Sequence, residues 1–109
     1  GLIQALAEGI HFSSQAGLNT ADVMDVITKG AAQSWQMENR WETMLNDEYD
    51  FGFAVDLMRK DLDIVLKQAK KMDTELEITD LVNNFYKEIQ KLGGGRWDTS
   101  SLLKRIQEK

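Results

Sequence analysis

The 109-residue sequence contains no cysteine, no proline and one histidine. The lack of cysteine excludes disulfides, thiolate nucleophiles and cysteine-based zinc sites, and fits a reducing, cytoplasmic setting. His11 stands without a ligand set or a serine–acid partner at usable spacing, so it reads as a surface or interface residue. Neither a bound metal nor a nucleophilic triad is expected. No run approaches the ~20 apolar residues of a membrane span, and the start lacks the order of a signal peptide. Excess positive charge is missing too. Thirteen basic against eighteen acidic side chains give a net charge of -5, which argues against a nucleic-acid partner.

What the sequence does have is helical period. With no proline, the element ends are marked by Gly, Asn, Asp and Thr, which divide the chain into about six helices. The first runs from the start to about Ala16, where Gly17-Leu18-Asn19-Thr20 provides a stop and a new cap. Ala21 to Lys29 forms the second, with Gly30 as a left-handed terminator. Ala31 to Leu45 forms the third. An acidic loop over 46–52 leads into a long fourth helix, Ala54 to Met72. In the fifth, Ile78, Leu81, Val82, Phe85, Tyr86, Ile89 and Leu92 step by threes and fours and predict a single buried stripe. Gly93-Gly94-Gly95 ends it. Asp98 or Thr99 caps a short last helix carrying Leu102, Leu103 and Ile106. No segment alternates with period two, so the fold class is an all-α bundle of short-looped helices.

Several groups invite a functional reading. The glycine run follows a helix rather than a strand, so a flexible terminator is preferred to a phosphate loop. Trp35, Trp41, Trp97 and the five methionines sit at helical spacings that usually fill a core. Asp47, Glu48 and Asp50 lack calcium-loop spacing and read as solvated surface. On the first helix Gln4, Glu8, His11 and Gln15 form a narrow polar stripe and apolar residues surround the rest, so this helix is central or meets another chain. The fourth helix has a main apolar face and a minor one at Leu57 and Ile64. Lys60 and Asp61 flank the minor face, while Arg59, Asp63 and Asp56 lie on an arc that reads as solvated.

The order Gly17-Leu18-Asn19, Gly30-Ala31-Ala32-Gln33-Ser34-Trp35, Asn39-Arg40, Gly52-Phe53, Arg59-Lys60-Asp61-Leu62, Asp98-Thr99-Ser100 resembles the C-terminal domain of β-hydroxyacid dehydrogenases. The 3-hydroxyisobutyrate dehydrogenase branch is the nearest, and the resemblance covers nearly the whole chain. It implies the helical fold of the 6-phosphogluconate dehydrogenase C-terminal domain, partnered by a Rossmann-type domain that binds NAD or NADP. It further implies hydride transfer to or from a small 3-hydroxyacid or its semialdehyde, and a homodimer or homotetramer. The family's acid/base lysine and nearby asparagine fall before Gly1, so residues 1–109 are expected to be one helical domain of a larger enzyme, inactive alone. Phe53 matches a residue of the cleft, Lys60 the lysine near the nicotinamide end of the cofactor, and Asp61 a neighbouring acid that orients lysines around it. Asp98 and Ser100 match a closing motif read as an N-cap. Asp50-Phe51 stands where the family often has proline, and Ser101 replaces a frequent alanine. A free-standing helical interaction module, or the same domain of an imine-reductase-like enzyme, remain the alternatives.

Overall fold

A computed structural model describes residues 1–109 as six α-helices and no strand. They are α1 (Leu2–Gln15), α2 (Thr20–Ile27), α3 (Trp35–Leu45), α4 (Val55–Lys71), α5 (Glu77–Lys91) and α6 (Leu102–Gln107), with a 3-10 turn over Thr99–Ser101 before the last. The all-α expectation is met. Local side chains set several of the boundaries. The Asn19 side chain accepts a hydrogen bond from the Asp22 amide at 3.1 Å and starts α2, satisfying a donor that the first turn leaves free. Ser34 does the same for Met37 at 3.0 Å. That cap makes α3 begin at Trp35 rather than Ala31, and residues 28–34 are a turn in which Gly30 is not left-handed as expected.

α1 lies at the centre and packs against α2, α3 and α6. Ile3, Leu6, Ala7 and Ile10 enter a core shared with Met24, Met44, Tyr86 and Leu102. Central placement does not cover the helix completely, because Leu2 and Phe12 remain exposed. Gln4, at the head of the expected polar stripe, is buried and donates to Glu8 at 2.9 Å.

α4 and α5 form an antiparallel pair, since residues near the start of one meet residues near the end of the other. Arg59 donates to Gln90 at 3.1 Å and to Asn83 at 2.8 Å, Asn83 donates to Asp63 at 2.9 Å, and Gln90 donates to Asp56 at 2.8 Å. Arg59 and Asp63 therefore sit half-buried in a seam between helices, which corrects their reading as solvated surface, while Asp56 remains exposed at the end of that seam as expected. The α5 stripe also departs from expectation. Val82, Tyr86 and Ile89 are buried, whereas Ile78, Leu81 and Leu92 stay exposed. At ~100° per residue the stripe is wider than its neighbours cover, and Leu81 and Leu92 fall on one edge.

The burial difference along α1 gives a direct test. Ile10 is 0% exposed and Phe12 is 73% exposed. Ile10→Ala is expected to cost about 2–5 kcal/mol by urea unfolding, and Phe12→Ala less than about 0.5 kcal/mol. Equal losses would show that α1 is turned differently.

Candidate functional site

The site is built where the loop before α4 meets the loop after α5. Ala54, the residue before the first turn of α4, has no side chain able to cap it. The neighbouring loop supplies acceptors instead. Val55 N–H donates to the Trp97 carbonyl and Asp56 N–H to the Gly95 carbonyl, both at 2.8 Å. Asp98 N–H donates to Tyr49 at 2.8 Å and Thr99 N–H to Phe53 at 3.0 Å. The start of α4 is thus held by backbone of distant sequence.

The glycine run that forms this loop is a packed corner. Gly93 turns the chain at φ +88°. Gly94 is buried, and a Cβ there would run into the Trp97 ring and Ile89. The run terminates the helix as expected, with Gly93 exposed and Gly94 enclosed.

Asp98 is the hub, with 1% exposure. One carboxylate oxygen accepts from the Phe53 amide at 2.9 Å. The other accepts from Arg40 Nε at 3.1 Å, from the Ser100 amide at 3.1 Å and from the Ser100 hydroxyl at 2.5 Å. A buried carboxylate needs this degree of satisfaction. Asp98 caps the 3-10 turn as expected, and it also joins that turn to α3 and to the loop before α4. Gly52, at φ +73°, lets the loop approach; a Cβ there would overlap the Asp98 carboxylate. The Arg40 guanidinium lies 4.9 Å from the ring centres of both Trp35 and Phe51, within cation–π range. Trp35 is exposed, so it belongs to this cluster and not to the core as its spacing suggested.

Phe53 follows in the chain, exposed, two residues ahead of α4. Leu57, Lys60, Asp61 and Ile64 share an arc of about 100° on α4, and all four are exposed. Lys60 forms no ion pair within the chain, unlike Arg59 beside it, which pairs with Asp63 at 3.2 Å. Asp61 is equally unpaired. The minor face of α4 is therefore a surface strip of apolar residues carrying one free cation and one free carboxylate, with exposed Phe53 in the loop that precedes the helix. Helical period placed Leu57 and Ile64 on this face with Lys60 and Asp61 at its flanks, and Phe53 came from the family resemblance alone. Sequence reasoning missed Arg40, whose partner lies 58 positions away; only the Asn39-Arg40 and Asp98-Thr99-Ser100 segments hinted at it.

A family model described as NAD-binding of NADP-dependent 3-hydroxyisobutyrate dehydrogenase matches residues 1–106. An uncharacterised oxidoreductase of Shewanella frigidimarina is 56% identical over 108 residues, which is 99% of this chain and 37% of that protein. The L-threonate dehydrogenase of Escherichia coli is 31% identical over 94% of this chain and 34% of its own length. Among solved structures, 3-hydroxyisobutyrate dehydrogenase from Salmonella typhimurium superposes with a TM-score of 0.85 at 31% identity, covering 94% of this chain and 36% of that one. The chain thus spans about a third of the relatives it matches.

Two buried tyrosines flank the hub and give it a pH dependence. Tyr86 donates to the Thr99 carbonyl at 3.0 Å and Tyr49 to the Met44 carbonyl at 3.3 Å. Burial first, and then the Asp47 and Asp98 charges for Tyr49 and the Asp98 charge for Tyr86, raise both hydroxyls well above the ordinary value of 10.0. The unfolded chain releases these protons at lower pH than the folded one. Their contribution to stability is therefore full below pH 10.0 and lost as pH rises above it. Unfolding midpoints recorded from pH 8 to 11.5 are expected to fall above about 10, with a smaller fall in Tyr86→Phe. A flat profile would contradict the burial of both hydroxyls.

Proposed function

The chain belongs to the NAD-binding family of NADP-dependent 3-hydroxyisobutyrate dehydrogenases, and from that premise we propose that it is the helical C-terminal domain of an NAD- or NADP-dependent enzyme oxidising a small 3-hydroxyacid or reducing its semialdehyde. The observation that carries the reading is the match to one third of a complete dehydrogenase at a TM-score of 0.85. In this reading a nucleotide-binding domain supplies most of the cofactor site, and residues 1–109 close the cleft over it.

The exposed strip on α4 suits that task. Phe53 offers an aromatic face, Leu57 and Ile64 an apolar floor, and Lys60 a cation with no competing partner in its own chain. A flat ring attached to anionic phosphates fits such a surface. When bound, the nicotinamide provides the hydride acceptor for oxidation of the carbon bearing the hydroxyl. Phe53 and Lys60 orient that end of the cofactor and exclude water from it, and Asp61 biases the field around the lysines. The resemblance gives proton transfer at the substrate hydroxyl to a lysine ahead of Gly1, so residues 1–109 alone are expected to turn over no hydroxyacid.

The test uses the full-length protein that carries this chain. Lys60→Ala is expected to weaken NAD(P)H binding about tenfold, as loss of one charge-assisted contact would, measured by fluorescence titration. Unchanged affinity and turnover would remove Lys60 from the site.

The same reading includes assembly as a homodimer or homotetramer. Leu2, Ala5 and Gly9 of α1 line an apolar groove of about 370 Å³ with Ile27, Ala32 and Met37, and Phe12 and Val26 are exposed. Apolar surface of this kind favours association between copies. Sedimentation equilibrium is expected to show a dimer or larger species, and Gly9→Glu to reduce it. A monomer at high concentration would refute the assembly surface.

A further inference from the structure

Three exposed aromatic residues, Trp35, Phe51 and Phe53, are tied to one cation–carboxylate pair, although only Phe53 was expected at the site. We propose that Arg40 is the positioning residue of the α4 strip, acting through Asp98 and the 51–53 loop to set the place of Phe53. The inference rests on the reading of Phe53 as part of the cofactor cleft.

The geometry makes the link at two points. Arg40 Nε reaches one Asp98 oxygen at 3.1 Å, while the other oxygen takes the Phe53 amide at 2.9 Å. The Phe51 ring lies 4.9 Å from the same guanidinium. The tripeptide 51–53 is therefore held by its first side chain and its last amide, and Gly52 between them has room for no side chain. The Arg40 side chain is 17% exposed and Asp98 1%, so the pair is shielded and a lost partner would leave the carboxylate without its countercharge. Ser100 still donates twice to Asp98, which keeps the carboxylate hydrogen-bonded when Arg40 is changed. What goes is the planar group on which Phe51 and Trp35 rest. A lysine keeps the charge and loses that plane.

Phe53→Ala, Arg40→Lys, Arg40→Met and the double variant Arg40→Met/Phe53→Ala are compared in the full-length protein. NADH and NADPH dissociation constants and thermal midpoints are measured for each. Phe53→Ala and Arg40→Met are each expected to weaken the tighter cofactor about tenfold, and the double variant no more than about twofold beyond either, because residues acting as one unit are not additive. Arg40→Lys retains the countercharge, so it carries the test if the Met variant does not fold. Its expected effect is also a severalfold loss. Wild-type affinity in both Arg40 variants, with Phe53→Ala impaired, overturns the role of Arg40 and leaves the cleft reading standing. Multiplicative losses in the double variant overturn it as well, since a merely structural Arg40 would add its own effect to that of Phe53. No loss in Phe53→Ala itself overturns both.

Discussion

A carboxylate withdrawn from water has to be met by donors, and Asp98 is met by four from three parts of the chain. The donors come from three separate segments, α3, the loop ahead of α4 and the 3-10 turn, which the carboxylate draws to one point. The carboxylate therefore works as a joint rather than as a surface charge. Around it the backbone of 95–99 receives the first amides of α4, a helix whose own sequence offers no cap. Gly52 and Gly94 permit this crowding because neither has a side chain to be displaced. Left unpaired, the same carboxylate would destabilise the region by several kcal/mol, on the order of what removal of a partner from a buried pair costs.

Helix number and order were legible in the sequence because amphipathic period is a local signal that survives without knowledge of contacts. The caps at Asn19 and Ser34 act locally too, although Ser34 displaces the α3 start from where apolar spacing alone puts it. The strip at Leu57 and Ile64, with Lys60 and Asp61 at its flanks, was legible as a second, minor face of a helix, whereas Phe53, in the loop ahead of α4, entered only through the family resemblance. What periodicity does not carry is the pairing of residues far apart. Arg40 and Asp98 leave no mark in each other's neighbourhood, and the α4–α5 seam looks solvated until α5 is laid beside it. Trp35 misled for a related reason: its spacing suits a core, but the guanidinium of Arg40 competes for its face.

The helices divide their surfaces between several tasks. α1 gives Ile3, Leu6, Ala7 and Ile10 to the interior and leaves Leu2 and Phe12 outside. A central helix in a small bundle has too few neighbours to cover it all round, and apolar side chains left over become surface that another molecule can cover. α5 shows the same shortage at Ile78, Leu81 and Leu92. In both cases the excess of apolar residues over covered positions is a property of the bundle's size and not of poor patterning.

α4 keeps its two polar sides apart. Arg59, Asp56 and Asp63 are tied into the seam with α5, while Lys60, Leu57 and Ile64 face outward and hold nothing in place. Residues without structural duties can change at little cost to the fold, commonly within about ±0.5 kcal/mol. One helix thus carries a face relieved of any part in holding the fold beside a neighbouring face that the fold requires, so a ligand can be met on the first without strain being passed to the second.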